Sequence, residues 1–377
     1  MQEISRRDFT AKLAGVPFIT LGAMNTRAGV SLGTRQLAAV ERILRRFIDS
    51  NIVPGVSYSI GNARETLAEG AFGLRTARPA APMESTTRCA LASVSKQFAA
   101  AAAYLLQQRN VLSLDAPVSK YITGLKYGRE ITLRQLLTMR SGVPMNDEEC
   151  EMPMGGKLNK ATLIANLNKH KLDFAPGHYF AYSNCAYDLA GLVIAAVSRM
   201  SYADFIEQNF FKALSMGSSY MLLTRDDLNF AQGYVREANG WKLEAATTID
   251  AAFASGNLVS TPGDMQRWDR SLLNATVLSR KTLQEMFTVP TGGPHFHYAS
   301  GWFVEPSGVI WHGGTLAGYA TVNMLIPATD HAIVLLSNTA PSEKWKPQDV
   351  AREIYNAAAL GPALPSLLPR VRTTAPK

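Results

Sequence analysis

Residues 91–108 read LASVSKQFAAAAAYLLQQ and carry a strong helix signal. Five consecutive alanines followed by Tyr, Leu and Leu favour a helix over 95–108 that is apolar on all sides. A helix of this kind is normally buried inside a domain, with other elements packed around it. The sequence therefore predicts that this helix forms part of a protein core.

The segments near both chain ends have the alternation of β-strands. Residues 55–73 alternate around a turn at Gly61-Asn62-Ala63, which predicts an antiparallel hairpin. Later strands are predicted at 301–306, 308–312, 320–326 and 332–337, before a closing helix at 347–358. Between these ends, helices are predicted at 133–140, 161–169, 187–199 and 202–213, and another opens at Thr261-Pro262. We therefore predict an α+β fold, in which an antiparallel sheet from both chain ends is flanked by helices and a helical subdomain is inserted at roughly 97–255.

Ser93 and Lys96 form a Ser-x-x-Lys motif that occurs once in the chain. Residues three apart share a helix face, so Lys96 can hydrogen-bond Ser93 and take its proton. At a helix start, free backbone N–H groups and the helix dipole favour negative charge, and the Ser93 amide can hold an oxyanion. Ser93 is thus a candidate nucleophile. Alone, the motif also fits a surface serine and lysine at the start of a helix.

Tyr182-Ser183-Asn184 is a second motif that occurs once. It follows the turn 174–177 and precedes a helix, so we expect a short exposed loop. Tyr182 can pass protons between Ser93 and a leaving group, and Asn184 can hydrogen-bond Lys96 or a substrate amide. The alternative is a loop tyrosine that packs on the domain.

His312-Gly313-Gly314-Thr315 stands at the end of the strand predicted at 308–312. Glycines at a strand allow a substrate backbone to come close, and the Thr315 amide can supply a second oxyanion donor. The alternative is a glycine turn beside a structural histidine.

Together, the three motifs resemble the serine β-lactamase and penicillin-binding-protein family. The similarity is greatest to its class C-like branch of β-lactamases, D-aminopeptidases, D-alanyl-D-alanine carboxypeptidases and esterases. Similar segments are 91–98, 112–121, 131–144 (ITLRQLLTMRSGVP), 174–191 and 256–268. The resemblance spans 37–358 and implies a β-lactamase/transpeptidase-like fold, with a hydrolase domain at 37–360.

The resemblance implies roles for particular residues. Ser93 would be the nucleophile, Lys96 its base, Tyr182 the general acid/base and Asn184 a supporting hydrogen bonder, with the 312–315 motif contacting substrate and oxyanion. His312 departs from the Lys of the Lys-Thr-Gly motif in β-lactamases and carboxypeptidases. That lysine is a permanent cation for a substrate carboxylate, whereas a histidine is mostly neutral at pH 7.

The resulting function is hydrolysis of an ester, amide or peptide bond through a Ser93 acyl-enzyme. The histidine form resembles the esterase, amidase and peptidase members of the branch. One alternative is a β-lactamase or D-alanyl-D-alanine carboxypeptidase acting on antibiotics or cell-wall peptides. Another is a catalytically silent ligand-binding or sensor module on the same fold.

The first 28 residues resemble a twin-arginine export signal. Arg6-Arg7 precedes Phe9 and an apolar stretch at 13–24, which is shorter than the about 20 residues that span a bilayer. Thr26-Arg27-Ala28 loosely fits a cleavage site. We therefore expect an exported periplasmic or secreted protein, with no stable membrane span once the signal is removed.

The rest of the composition limits the other function classes. The net charge of the chain is +8, but the lysines and arginines are scattered along the sequence, so we expect no nucleic-acid partner. His295-Phe296-His297 has a ligand-like spacing without a third ligand, and no His-Glu-x-x-His occurs, so we expect no metal and no cofactor.

Cys89, Cys150 and Cys185 are read mostly as buried thiols, with a single disulfide as the alternative. The expected partner is a small-molecule or short-peptide substrate, bound by a monomer. The Pro-rich segment 361–377 is expected to be a loose tail.

Overall fold

A computed structural model describes residues 3–5, 31–144, 160–221, 227–237, 240–244, 253–291 and 297–365. The predicted export signal lies outside the described residues except for 3–5, and the predicted tail except for 361–365. Within the described part of the chain, no single helix is long and apolar enough to cross a membrane. One pair of helical segments, Asn184–Ser198 and Tyr202–Lys212, is long and apolar enough for a membrane span only when the two are counted together, and the pair is bent by 77° between them.

The described secondary structure consists of helices, strands and short helical turns. The helices are α1 (Thr34–Asp49), α2 (Lys96–Gln108), α3 (Leu133–Leu137), α4 (Lys160–Leu167), α5 (Asn184–Ser198), α6 (Tyr202–Ile206), α7 (Phe253–Gly256), α8 (Pro262–Asn274), α9 (Arg280–Met286) and α10 (Pro347–Ala357). The strands are β1 (Glu3–Ser5), β2 (Gly55–Asn62), β3 (Thr66–Ala77), β4 (Ala80–Pro82), β5 (Cys89–Ala90), β6 (Tyr220–Met221), β7 (Tyr234–Glu237), β8 (Gly240–Leu243), β9 (Leu258–Ser260), β10 (Phe303–Val304), β11 (Ile310–Leu316), β12 (Tyr319–Ile326) and β13 (His331–Ser337). The turns are 3-10 at Ala92–Ser95, Val118–Lys120 and Pro327–Thr329, and π-helical at Glu207–Lys212.

The main sheet joins the two ends of the chain, as the sequence predicts. Its strand order is β10-β11-β12-β13-β2-β3-β4, and neighbouring strands are antiparallel. The junction between the two ends is the pairing of β13 with β2, where Ser337 lies opposite Val56. Two small sheets, β5-β9-β6 and β1-β8-β7, are additions that the sequence patterns do not predict.

Both faces of the main sheet are covered. Along β13, Ile333 and Leu335 join the core beneath α1 and α10, whereas Val334 and Leu336 join the core formed with α2 and α8. This is the period of two expected of a strand, here with apolar residues on both sides. Burying each such side chain contributes about 1.5–3 kcal/mol to stability. The main sheet is therefore a stable platform for the helices packed on its two faces.

The alanine-rich helix is buried as predicted. In α2, every residue from Lys96 to Leu106 is buried, and Phe98 stacks on Trp268 of α8 with ring centroids 4.4 Å apart. The Thr261-Pro262 signal also holds, because α8 begins at Pro262 and the Thr261 side chain accepts a hydrogen bond from the Asp264 amide. Alanine side chains allow this close packing, since they add little bulk between α2 and its neighbours.

The cysteines differ from one another. Cys89 is a buried free thiol whose pKa is raised by burial, as expected for an inert structural cysteine. Cys185 is disulfide-bonded, which agrees with the alternative of a single disulfide rather than with a buried thiol at this position. Cys150 lies outside the described residues.

A buried polar network lies between α8, α2 and β12. Asn323 donates to Asp269 Oδ1 at 2.7 Å and to Gln97 Oε1 at 3.0 Å. Asp269 is fully buried, and its Oδ2 has no hydrogen-bond partner among the described residues. Burial therefore raises the pKa of Asp269 well above its ordinary value.

We expect Asp269 to make the free energy of unfolding fall as the pH rises from about 4 toward its raised pKa, by about 1.4 kcal/mol per pH unit. The sign follows because the folded state holds a proton that the unfolded chain releases. Asp269→Asn stays uncharged and should remove the contribution of Asp269 to this slope in urea unfolding from about pH 5 upward. Asp115→Asn is the control: because a hydrogen bond from Arg134 lowers the pKa of Asp115, this carboxyl is charged in both the folded and the unfolded state above about pH 5, and its replacement should leave the slope unchanged there. Equal slopes for wild type and Asp269→Asn would contradict the assignment.

Candidate active site

Ser93 lies in a 3-10 turn that leads directly into α2. The turn is held by β9: the Leu91 amide donates to Leu258 O at 2.8 Å, and the Leu258 amide donates to Ser95 Oγ at 3.1 Å. Ala92 adopts a left-handed φ of 50°, which costs a residue with a Cβ about 1–3 kcal/mol. The strained residue places Ser93 on the half-buried side of the turn, while its neighbours Ala92, Val94 and Ser95 are buried.

Lys96 is fully buried and points at Ser93. Its Nζ donates to Ser93 Oγ at 3.0 Å, to Asn184 Oδ1 at 2.7 Å and to Ser255 O at 2.7 Å. Asn184 Oδ1 and Ser255 O can only accept, whereas a serine hydroxyl can also donate. When Lys96 is a neutral amine, its two N–H groups satisfy the two carbonyl oxygens, and its lone pair is directed at the Ser93 hydroxyl. The predicted contact of Lys96 with Ser93 and with Asn184 is therefore present.

Tyr182 and Asn184 are positioned by the cap of α5 rather than by an exposed loop. Ser183 is the N-cap: its Oγ accepts from the Ala186 amide at 3.1 Å and donates to Pro144 O at 3.0 Å. Helix α5 thus begins at Asn184, earlier than the predicted 187. Tyr182 is half-buried, and its ring centroid lies 4.8 Å from Lys96 Nζ. The expected exposure was wrong because the serine between the two residues is buried as a cap.

His312 lies inside β11, which continues through the whole 312–315 motif instead of ending there. The pairing with β12 is unbroken from His312 opposite Asn323 to Thr315 opposite Ala320. The His312 side chain is 1% exposed, with its ring centroid 6.3 Å from that of Tyr182. Its Nδ1 lies 2.7 Å from Gly313 O, and its Nε2 lies 3.1 Å from Tyr298 Oη. A carbonyl can only accept, so in the neutral ring Nδ1 carries the hydrogen and Nε2 accepts from Tyr298.

The two glycines of the motif are not equivalent. A Cβ added at Gly314 would collide with Leu91 O and Thr321 Oγ1 and lie 3.0 Å from Ala92 Cβ. A Cβ at Gly313 would meet its nearest atoms at 3.6 and 3.7 Å, which is ordinary contact. Gly314 therefore lets β11 approach the serine turn, and Thr321 strengthens this contact by donating to Leu91 O at 2.8 Å. Thr315, the next residue along the strand, is exposed.

Sequence reasoning missed three buried groups around these motifs. Asp188 accepts a hydrogen bond from the Ser255 amide at 2.9 Å. Tyr187, whose hydroxyl donates to Leu137 O at 2.6 Å, has its ring 5.6 Å from Lys96 Nζ, and Tyr298 contacts His312. The available signal was helical spacing, because Asp188 follows Asn184 by four residues and so shares its helix face.

Within the described ranges, no group of three or more His, Cys, Asp or Glu side chains could hold a metal ion. His295 and Phe296, in the segment whose ligand-like spacing lacks a third ligand, lie outside the described part of the chain.

Comparisons with known proteins agree with this fold. A family model described as Beta-lactamase matches residues 40–357. Protein flp of Staphylococcus aureus (strain MW2) is 27% identical over 322 residues, which are 79% of this chain and 62% of that protein. This chain therefore spans about three fifths of the length of that relative.

Solved structures share this fold. The D-amino acid amidase of Ochrobactrum anthropi SV3 has a TM-score of 0.77 at 22% identity, covering 85% of this chain and 98% of that one. A class C β-lactamase has a TM-score of 0.73 at 22% identity, covering 85% and 96%. The family match extends over well over half of the sequence and includes the three motifs. The chain belongs to the β-lactamase family of serine hydrolases.

Proposed function

We propose that this protein hydrolyses an ester or amide bond through an acyl-enzyme on Ser93. The observation that carries the proposal is the hydrogen bond between Lys96 Nζ and Ser93 Oγ at 3.0 Å, with Asn184 and Ser255 holding the same nitrogen in place, so that a neutral Lys96 can accept the Ser93 proton. A serine hydroxyl needs such a base to become a nucleophile. The fixed geometry removes the entropic cost of bringing the base and the hydroxyl together.

The first half-reaction forms the ester. Ser93 Oγ attacks the carbonyl carbon and gives its proton to Lys96 Nζ, while the Ser93 and Thr315 amides hold the oxyanion. Tyr182, packed against Lys96, gives a proton to the leaving oxygen or nitrogen as the bond to the carbonyl carbon breaks. The proton on Lys96 then replaces the one that Tyr182 has given. Asn184 and Ser255 keep Lys96 in place through both proton transfers.

The second half-reaction releases the acyl group. Water attacks the Ser93 ester carbonyl and loses a proton to the same basic pair. The oxyanion again lies between the two backbone amides. Collapse of this intermediate returns the proton to Ser93 Oγ and frees the carboxylic acid, so the active site is restored.

The His312 environment favours ester and amide substrates over substrates recognised by a carboxylate. Both ring nitrogens of His312 are engaged by groups of the protein, and the side chain is buried. His312 therefore does not present a permanent cation to substrate, as a lysine at this place would. The fold shared with a D-amino acid amidase supports an amide as one substrate class.

We expect the purified enzyme to hydrolyse a nitrophenyl ester and D-phenylalanine amide faster than nitrocefin or a D-alanyl-D-alanine dipeptide. Rates measured side by side at one pH, with mass spectrometry of quenched protein, provide the test. A mass increase equal to the acyl group on the peptide that contains Ser93 should accompany turnover. Faster hydrolysis of nitrocefin or of the dipeptide would overturn the substrate assignment, and acylation without turnover would indicate a silent sensor module.

A further inference from the structure

Asp188 is a buried carboxyl group behind Lys96. It lies on α5, one turn beyond Asn184, and is 4% exposed. Its Oδ1 accepts a hydrogen bond from the Ser255 amide at 2.9 Å, and the carbonyl of that same residue accepts from Lys96 Nζ at 2.7 Å. Ser255 therefore connects Asp188 to the proposed base through two short hydrogen bonds.

The Ser255 segment needs this support. Helix α7 has only four residues, Phe253–Gly256, so it forms little hydrogen bonding of its own. Helix α5 is a long buried helix and a rigid place from which to hold it. Asp188 thus fixes the short segment that presents a carbonyl oxygen to Lys96.

The charged and titratable groups around Asp188 come from three neighbouring elements. Lys96 on α2 favours the carboxylate, as do the hydrogen bonds from Ser255 and Ala254 on α7, while Tyr202 on α6 lies near it. Arg134, the cation of α3, is engaged elsewhere by Asp115 and Glu285. Burial outweighs the favourable contacts and raises the pKa of Asp188 to about 7.

We propose that Asp188 is a positioning residue that holds Ser255 against Lys96 and, through its charge, controls how readily Lys96 becomes the neutral amine. This inference rests on the proposed function, in which Lys96 takes the Ser93 proton. A carboxylate near an ammonium group favours the charged lysine. Removing the charge should therefore make the neutral amine available at lower pH, whereas removing the hydrogen bond should misplace the Ser255 carbonyl.

Asp188→Asn separates the two effects, because the amide oxygen still accepts from the Ser255 amide but carries no charge. We expect the acidic limb of the kcat/KM profile to move to lower pH by about one unit. Asp188→Ala also removes the acceptor and should lower kcat about tenfold or more, with a smaller change in KM. A purely structural role for Asp188 would lower activity without moving the limb.

Asp269→Asn is the matched control, since Asp269 is another buried carboxyl, and its hydrogen bond comes from Asn323 rather than from Lys96 or Ser255. Its pH profile should coincide with that of the wild type. A profile of Asp188→Asn that also coincides with the wild type would overturn the inference. Ser93→Ala distinguishes a failure of the proposed function from a failure of the role of Asp188. If Ser93→Ala retains turnover, the proposed function fails. If Ser93→Ala is inactive but the acidic limb of Asp188→Asn stays at the wild-type pH, only the role of Asp188 fails.

Discussion

Replacing Ser93 by alanine is expected to lower kcat by a factor of about 10⁴ or more while leaving the fold intact. The hydroxyl is half-buried in the turn before α2, and its hydrogen-bond partner Lys96 keeps two other acceptors, Asn184 Oδ1 and Ser255 O. The alanine side chain fits wherever serine does, so no packing is lost. The variant thus removes the atom that we propose as the nucleophile and little else.

Ser57→Ala is the matched control for this experiment. Ser57 lies in β2 and is fully buried, and its hydroxyl has no hydrogen-bond partner among the described residues. We expect full activity from this variant. Steady-state rates on the best substrate of the panel, together with the mass of the quenched protein, give the readout. Turnover by Ser93→Ala within a factor of about ten of the wild type would exclude Ser93 as the nucleophile.

The regular elements were predictable because their patterns are local. The alanine run before Tyr104 produces a buried helix, and the alternation at 332–337 produces a strand with two apolar faces. The spacing of Ser93 and Lys96 likewise places them on one face, because three residues is nearly one helical turn. The bounds of the helices were less certain, as at Asn184, where a serine cap adds three residues to the expected start.

Features that depend on packing were not predictable. Alanine rarely adopts a positive φ, so nothing in the sequence marks Ala92 as the strained residue of the serine turn. Gly313-Gly314 suggested the end of a strand, since glycine is common in turns, but Gly314 is required by the approach of another segment. The spacing from Asn184 places Asp188 on the same helix face, but only its burial and its hydrogen bond from the Ser255 amide show that it is linked to Lys96.

The approach of β11 to the serine turn has a second large consequence. We expect Gly314→Ala to lower the free energy of unfolding by about 1–3 kcal/mol and to reduce kcat/KM by about 100-fold. The added Cβ must displace Leu91 O or Thr321 Oγ1, and the first of these is backbone that cannot rotate away. Moving Leu91 moves Ser93 relative to Thr315, so the two amides that we propose as oxyanion donors would no longer converge on one oxygen atom.

Gly313→Ala separates this effect from a general intolerance of side chains in β11. Its Cβ would meet only ordinary contacts at 3.6 and 3.7 Å, so its unfolding midpoint in urea should stay at the wild-type value. If both variants unfold at the wild-type midpoint, Gly314 is not needed for the approach of the strand to the turn. If only Gly314→Ala is destabilised and also loses activity, the same contact supports the fold and aligns the two amides. In that case the close packing of Gly314 against Leu91 is what requires a glycine here, and the alignment of the two amides follows from that packing.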